Sequence, residues 1–219
     1  CRFIIENAGE ASYPEGWEDY SVCVSYDHEN WFRIPASYNG ETLTMEITPS
    51  QNSLFIAYFE PYYYNRHISL VSRAQASPLC RLESLGTTVE GRPVDLLLFG
   101  DPGEDKKSIW IIGRQHAGEP QASWFMEGLI WRLLDESDAV SRTLLQKADI
   151  YVVPFVNPDG AIRGNLRANA AGRDLNREWL NPDEKLSPEV FHIRNKMDET
   201  GVDLNLDIHG DESLPYNFI

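Results

Sequence analysis

Positive charge is what this sequence has least of: 19 lysines and arginines stand against 34 aspartates and glutamates, a formal net charge of -15. So acidic a chain offers no basic footprint for a phosphate backbone or an anionic bilayer, which excludes nucleic acid and membrane as its main partners. Cysteine is scarce too. Cys1, Cys23 and Cys80 are odd in number and lack metal-type spacing, which argues against a disulfide frame and for free thiols in a reducing, cytoplasmic compartment. Long apolar runs are missing: Leu96 to Phe99 and Ile150 to Val156 fall far short of the roughly 20 residues of a membrane-spanning helix. No basic segment followed by an apolar one opens the chain, so no secretory signal is read, with the reservation that the sequence starts at Cys1 and not at Met. Internal repeats and low-complexity tracts are absent as well. What is there is a chain of 219 residues, 42% of them hydrophobic, able to bury a real core as one large domain or two small ones.

From Phe3 to about Leu70, short alternating or aromatic runs are separated by turn signals: Val22-Cys-Val, Trp31-Phe-Arg-Ile-Pro, Leu43-Thr-Met-Glu-Ile and Leu54 to Phe59. That pattern predicts a small antiparallel β-sandwich. Asn39-Gly40 predicts a type I′ hairpin turn, both of whose central positions need positive φ. Glu60 to His67 closes this unit with tyrosines that read as packing and not as a binding cage, and Arg73 to Pro78, small, polar and ended by proline, reads as a linker. The expected division is residues 1–75 for the β-domain and 76–219 for a second domain.

Beyond the linker the period changes. Leu82 to Val89, Val94 to Phe99, Ser108 to Ile112, Ile150 to Val156 and Val202 to Ile208 predict strands. Pro120 to Leu134, with Ala122, Phe125, Met126, Leu129, Ile130 and Leu133 at helical spacing, predicts a helix, and Ser187-Pro-Glu-Val starts another with a serine cap. Strands alternating with helices imply a mixed or parallel sheet covered on both faces.

Three expected strand ends carry chemistry. The stretch Ile111-Ile-Gly-Arg-Gln-His-Ala-Gly-Glu-Pro120 puts His116 and Glu119 on a turn at the carboxyl edge of the sheet, where open α/β folds place their sites. An imidazole with a carboxylate three residues on can supply two positions around zinc. Asn157-Pro-Asp-Gly comes after a second strand and leads into an arginine-rich loop ending Gly172-Arg-Asp-Leu-Asn-Arg-Glu-Trp179. A third strand ends on His209. Arg114, Arg163, Arg167, Arg173 and Arg177 all fall in these segments, and local basicity inside an acidic chain points to an anionic ligand. His67 and His192 read as surface or internally satisfied histidines.

His116-Ala-Gly-Glu-Pro, Asn157-Pro-Asp-Gly, Gly172 to Trp179 and Asp207-Ile-His-Gly-Asp-Glu, in this order and spacing, resemble the zinc metallocarboxypeptidases, and more closely their cytosolic carboxypeptidase branch, which also carries an N-terminal β-domain ending in a Pro-Tyr-Tyr-Tyr segment. The resemblance implies an α/β carboxypeptidase-like domain with a mixed sheet, its C-terminal part missing, and a hydrolase removing residues from peptide or protein C-termini, acidic tails among them. It implies one zinc held by His116, Glu119 and His209, two histidines and a glutamate being the ligand set of carboxypeptidase A. Asp174 would accept the free N–H of His116. Asn176 and Arg177 would hold the substrate's terminal carboxylate, and Arg167, the catalytic residue, would bind substrate and steady the oxyanion. The family's general base, a late glutamate, is expected beyond Ile219; Glu212 is not assigned that role. The chain is thus expected to be the N-terminal part of a longer enzyme. An aspartoacylase-like zinc amidohydrolase shares HxxE, an Asp-Leu-Asn-Arg run and a later histidine, and an inactive zinc-containing binding module is the non-enzyme alternative.

Overall fold

The structure, a computed structural model, describes residues 1–101, 103 and 105–211. The chain divides into two compact units, residues 62–210 forming one and residues 1–61 the main body of the other.

The first unit is an antiparallel five-stranded sheet. Its strands are β1 (Arg2–Ile5), β2 (Ser21–Ser25), β3 (Trp31–Tyr38), β4 (Leu43–Glu46) and β5 (Phe55–Ala57), in the spatial order β1-β4-β3-β2-β5. The long strand β3 changes partner midway: Trp31 to Pro35 pair with β2, and Ala36 to Tyr38 pair with β4. Pro35 has no N–H for a ladder bond and sits where the switch occurs. The expected sandwich is therefore one curled sheet, and Val22 and Val24 of β2 share a buried cluster with Leu43 and Met45 of β4. The turn at Asn39-Gly40 is not type I′. Gly40 has φ 91° but Asn39 does not have positive φ, and the Asn39 side chain accepts from the N–H groups of Glu41 and Thr42 at 3.0 and 2.7 Å. An Asx turn of this kind builds a longer loop.

In the second unit a mixed sheet comprises β6 (Cys80–Thr87), β7 (Pro93–Phe99), β8 (Lys107–Gly113), β9 (Ala148–Val153) and β10 (Leu204–Ile208), ordered β10-β8-β9-β7-β6. β8 runs parallel to both β9 and β10, while β7 is antiparallel to β6 and β9. Because side chains alternate along a strand, Leu97, Phe99, Ile111, Ile150 and Val152 point to one face, and Leu96, Leu98, Trp110, Ile112 and Val153 to the other. The first face is covered by α1 (Tyr64–Ala74) and α2 (Pro120–Leu133), the second by α5 (Pro188–Thr200) through Val190 and Ile193. All six residues of β9 are buried, as its unbroken apolar run requires. β10 forms the sheet edge among the described residues, and its Leu204 and Leu206 are exposed.

Helices account for most differences from the sequence reading. α1 takes up the tyrosine segment and runs through Ala74, so regular structure covers the first two residues of the stretch read as a linker. Its buried His67, Leu70, Val71 and Ala74 follow the i, i+3, i+4, i+7 pattern. α3 (Ala139–Lys147), capped by Asp138, and α4 (Pro158–Arg163), capped by Asn157, were not expected. On α2 the face is turned slightly from the expected one: Ala122, Met126, Ile130 and Leu133 are buried, but Phe125 is 51% exposed. Ser187 precedes α5 without capping it, because its hydroxyl is engaged with Asp183 and Glu178. Among the described residues no helix is long and apolar enough to cross a membrane.

Candidate metal centre

Neighbouring parallel strands bring the site together. β10 pairs with β8 so that Ile208 lies opposite Gly113, and the two strands end level with one another. Past β8, Arg114 takes φ 60° and bends the chain, and the loop carries His116 and Glu119 to the start of α2, where Glu119 is the N-cap residue. A helix N-terminus favours a carboxylate. Past β10 comes His209. One ligand atom from each of His116, Glu119 and His209 lies within 4.8 Å of the others, a group that could hold a metal ion.

Both imidazoles turn Nδ1 inward. His116 Nδ1 lies 2.7 Å from Glu119 Oε1, His209 Nδ1 lies 2.9 Å from Glu119 Oε2, and the two Nδ1 atoms are 3.1 Å apart. Burial pushes the Glu119 carboxyl up, but bonds from His116, His209 and the Gly210 N–H outweigh it and hold the group at about 2. His209 is pushed up to about 10, by Asp207 first and Glu119 next. Two imidazole nitrogens and one carboxylate oxygen on a common point fit zinc, whose usual ligands they are.

The arginine-rich loop supplies the back of His116. Asp174 Oδ1 is 3.3 Å from His116 Nε2, and Arg167 bridges the pair, its Nε 3.2 Å from Asp174 Oδ2 and one terminal nitrogen 2.9 Å from His116 Nε2. Burial pushes the Asp174 carboxyl up, and the Arg167 guanidinium beside it brings it below the ordinary value. Asp174 also caps the 3-10 turn Leu175–Arg177 by accepting the Asn176 N–H. Asn176 and Arg177 therefore sit on the turn that Asp174 anchors, with Arg177 exposed and donating to the Asn176 carbonyl at 3.1 Å.

Of the other arginines, Arg114 and Arg163 are engaged away from the His-Glu-His group, and Arg173 is exposed on the loop. Arg114 is buried, donates to the Ala117 carbonyl and the Ser123 hydroxyl, and lies over the Phe155 ring, pinning the His116 loop from inside; desolvation lowers its pKa to about 10. Arg163 is held by Glu90 and the Ala170 carbonyl, and Arg173 stands 3.9 Å from Glu178. His67 is buried against Asp95 at 3.0 Å, satisfied as expected, and His192 packs on Gly86. Glu212 lies outside the described residues.

Three residues quoted in the motifs but given no role are part of the site's frame. Gln115, Asp207 and Trp179 form a bonded chain ending on His209. Alternation along β10 was the available signal for Asp207, since it shares a face with His209. Asn157 is also fully buried; its amide reaches the Gln115 and Arg167 carbonyls, and its oxygen accepts the Gly160 N–H. A Cβ on Gly160 would lie 2.7 Å from that same oxygen. Gly160→Ala should therefore cost about 1–3 kcal/mol by overpacking, read in urea or thermal unfolding; an unchanged midpoint would show that the close approach is not required.

The zinc carboxypeptidase family matches residues 69–214, and the cytosolic carboxypeptidase N-terminal domain matches residues 1–59. A metallo-carboxypeptidase from Burkholderia cenocepacia is 48% identical, with a TM-score of 0.95 over 99% of this chain and 59% of its own. The Pseudomonas aeruginosa metallo-carboxypeptidase, solved in complex with (2-guanidinoethylmercapto)succinic acid, is 45% identical, with a TM-score of 0.94 over 99% of this chain and 58% of its own. Mouse cytosolic carboxypeptidase 3 is 31% identical over 89% of this chain and 20% of its own length. An uncharacterized protein of Zymomonas mobilis, 45% identical over 218 residues, is spanned to 57% of its length, so this chain covers little more than half of these bacterial relatives. With its N-terminal domain, its mixed sheet and a His-Glu-His group at the sheet's edge all accounted for, the chain belongs to the zinc carboxypeptidase family, and resembles a cytosolic carboxypeptidase over 89% of its length.

Proposed function

We propose that the protein is a zinc-dependent metallocarboxypeptidase that hydrolyses the last peptide bond of peptide or protein C-termini, with one zinc held by His116, Glu119 and His209. The observation that carries this is the convergence of His116 Nδ1, His209 Nδ1 and the Glu119 carboxylate beside a half-exposed arginine, Arg167. Bound zinc supplies Lewis acidity toward a scissile carbonyl. The chain's own groups do the rest. Once Arg167 leaves His116 Nε2, Asp174 Oδ1, 3.3 Å from that atom, would accept its proton and keep Nδ1 free for the metal. Arg167, already within bonding distance of Asp174, has only to swing its exposed end to meet an oxyanion. Asn176 and Arg177 take the terminal carboxylate, where a planar guanidinium makes two parallel charge-assisted bonds. Among the carboxylates described above, Glu119 is a ligand, Asp174 is engaged by His116 and Arg167, and Asp207 by Gln115 and His209. In this reading the base is a glutamate beyond Ile219.

Within that activity we infer a preference for acidic C-terminal residues. Arg167, Arg173 and Arg177 are exposed on one loop of a chain whose net charge is -15, so attraction for an acidic peptide is local to that loop. Arg114 and Arg163 do not add to it, being engaged elsewhere. Short peptides ending in Glu, Asp, Phe, Leu and Lys, assayed with full-length enzyme at low and high salt, test both readings. Release of C-terminal Glu that slows with salt is expected. Faster release of Phe or Lys would end the acidic preference, and no release from any peptide, with turnover of N-acyl amino acids instead, would favour the amidohydrolase.

A further inference from the structure

Gln115 is fully buried, and its polar groups reach three distant parts of the chain. The carbonyl accepts Asn157 Nδ2 at 3.0 Å, Oε1 accepts the Trp179 indole N–H at 2.8 Å, and Nε2 donates to Asp207 Oδ2 at 2.5 Å. Asp207 Oδ2 also meets His209 Nε2 at 2.8 Å. The chemistry of the donors makes this chain directional. An indole N–H can only donate, so the amide oxygen of Gln115 must face Trp179 and the amide nitrogen must face Asp207. A carboxylate can only accept, so His209 must carry a proton on Nε2. In the neutral ring that leaves the lone pair on Nδ1, the atom turned toward His116 and Glu119.

Fold stability does not explain Asp207. Its Oδ1 is buried and has no bonding partner among the described residues, and a buried oxygen left unsatisfied costs stability. His116 has its own carboxylate, Asp174, behind the ring; the same provision for His209 comes from Asp207, two residues earlier in the chain.

We propose that Gln115 and Asp207 are positioning residues of the metal centre: Gln115, itself oriented by Trp179, holds the Asp207 carboxylate, and Asp207 holds the His209 ring with Nδ1 presented to the metal. This rests on the assignment of His209 as a ligand. Neither residue belongs to the ligand group, yet the chain Trp179-Gln115-Asp207-His209 ties the loop bearing Asn176 and Arg177 to it.

The test uses full-length protein stripped of metal, titrated with zinc against a chromophoric chelator and with cobalt(II) while its visible spectrum is followed. Asp207→Ala should weaken zinc binding about 10- to 100-fold and alter the cobalt spectrum. Gln115→Met, similar in volume but without either side-chain bond, should weaken it less, and should add nothing in the Asp207→Ala background. Trp179→Phe should have the smallest effect. Should Asp207→Ala fail to fold, Asp207→Asn and Gln115→Met decide the matter. Wild-type zinc affinity and an unchanged cobalt spectrum in the folded variants would overturn the proposal. His209→Ala separates it from the reading it rests on. If His209→Ala binds zinc normally, the ligand assignment is wrong; if it loses zinc while Asp207→Ala and Gln115→Met do not, the ligand stands and the positioning role alone fails.

Discussion

His116→Ala should lower zinc affinity by roughly 10²- to 10³-fold, taking one ligand's share, ~3–4 kcal/mol, of the binding energy of a structural zinc site. The loss has two sources. One donor atom goes, and Glu119 loses the partner at 2.7 Å that helps keep its buried carboxylate ionised. Asp174 and Arg167 keep their own ion pair, so the loop behind His116 retains its anchor in the variant. Metal content by elemental analysis after dialysis against a weak chelator, and a competition titration, measure the effect. Equal zinc in wild type and variant would remove His116 from the ligand set and with it the proposed centre.

Arg177→Ala is expected to cut kcat/KM for peptides with a free C-terminus by ~2–5 kcal/mol, about 30-fold to several-thousandfold, chiefly through KM. That range applies because the substrate carboxylate would remain in the site without its partner. Arg177 is exposed and its one described protein bond is to the adjacent Asn176 carbonyl, so unfolding should shift by no more than about 0.5 kcal/mol. Arg177→Lys should recover only part of the loss, since an ammonium cannot make the paired bonds of a guanidinium. C-terminally amidated peptides should be poor substrates of the wild type and lose little further in the variant. Amides cleaved as fast as acids would rule out a carboxypeptidase.

The arginines show where reading the sequence goes too far. Five of them lie in the segments that build the site, and proximity in sequence alone made them one basic patch. The chain instead turns Arg114 inward at a positive φ to brace the loop, and hands Arg163 to Glu90, which lies 73 positions earlier. Helix α1 shows the opposite error. Its tyrosines stand out by residue type, but the periodic His67, Leu70, Val71 and Ala74 decide its burial.

By itself the sequence determined what is local: which stretches alternate as strands, where α2 starts at Pro120, and that His116, Glu119 and His209 have the donor chemistry for zinc at the ends of expected strands. Such features depend on side-chain type and on spacings of a few residues, which a linear reading contains. Tertiary structure alone decided what depends on pairing over long separations. It curled the N-terminal sheet by switching the partner of β3 at Pro35, and it levelled the ends of β8 and β10 so that His209 meets His116 across 93 positions. It also joined Trp179, Gln115 and Asp207 behind the histidine. A hydrogen bond needs its atoms within about 3 Å and correctly directed, and no spacing along the chain reveals which residues, 64 or 92 positions apart, the sheet will bring that close.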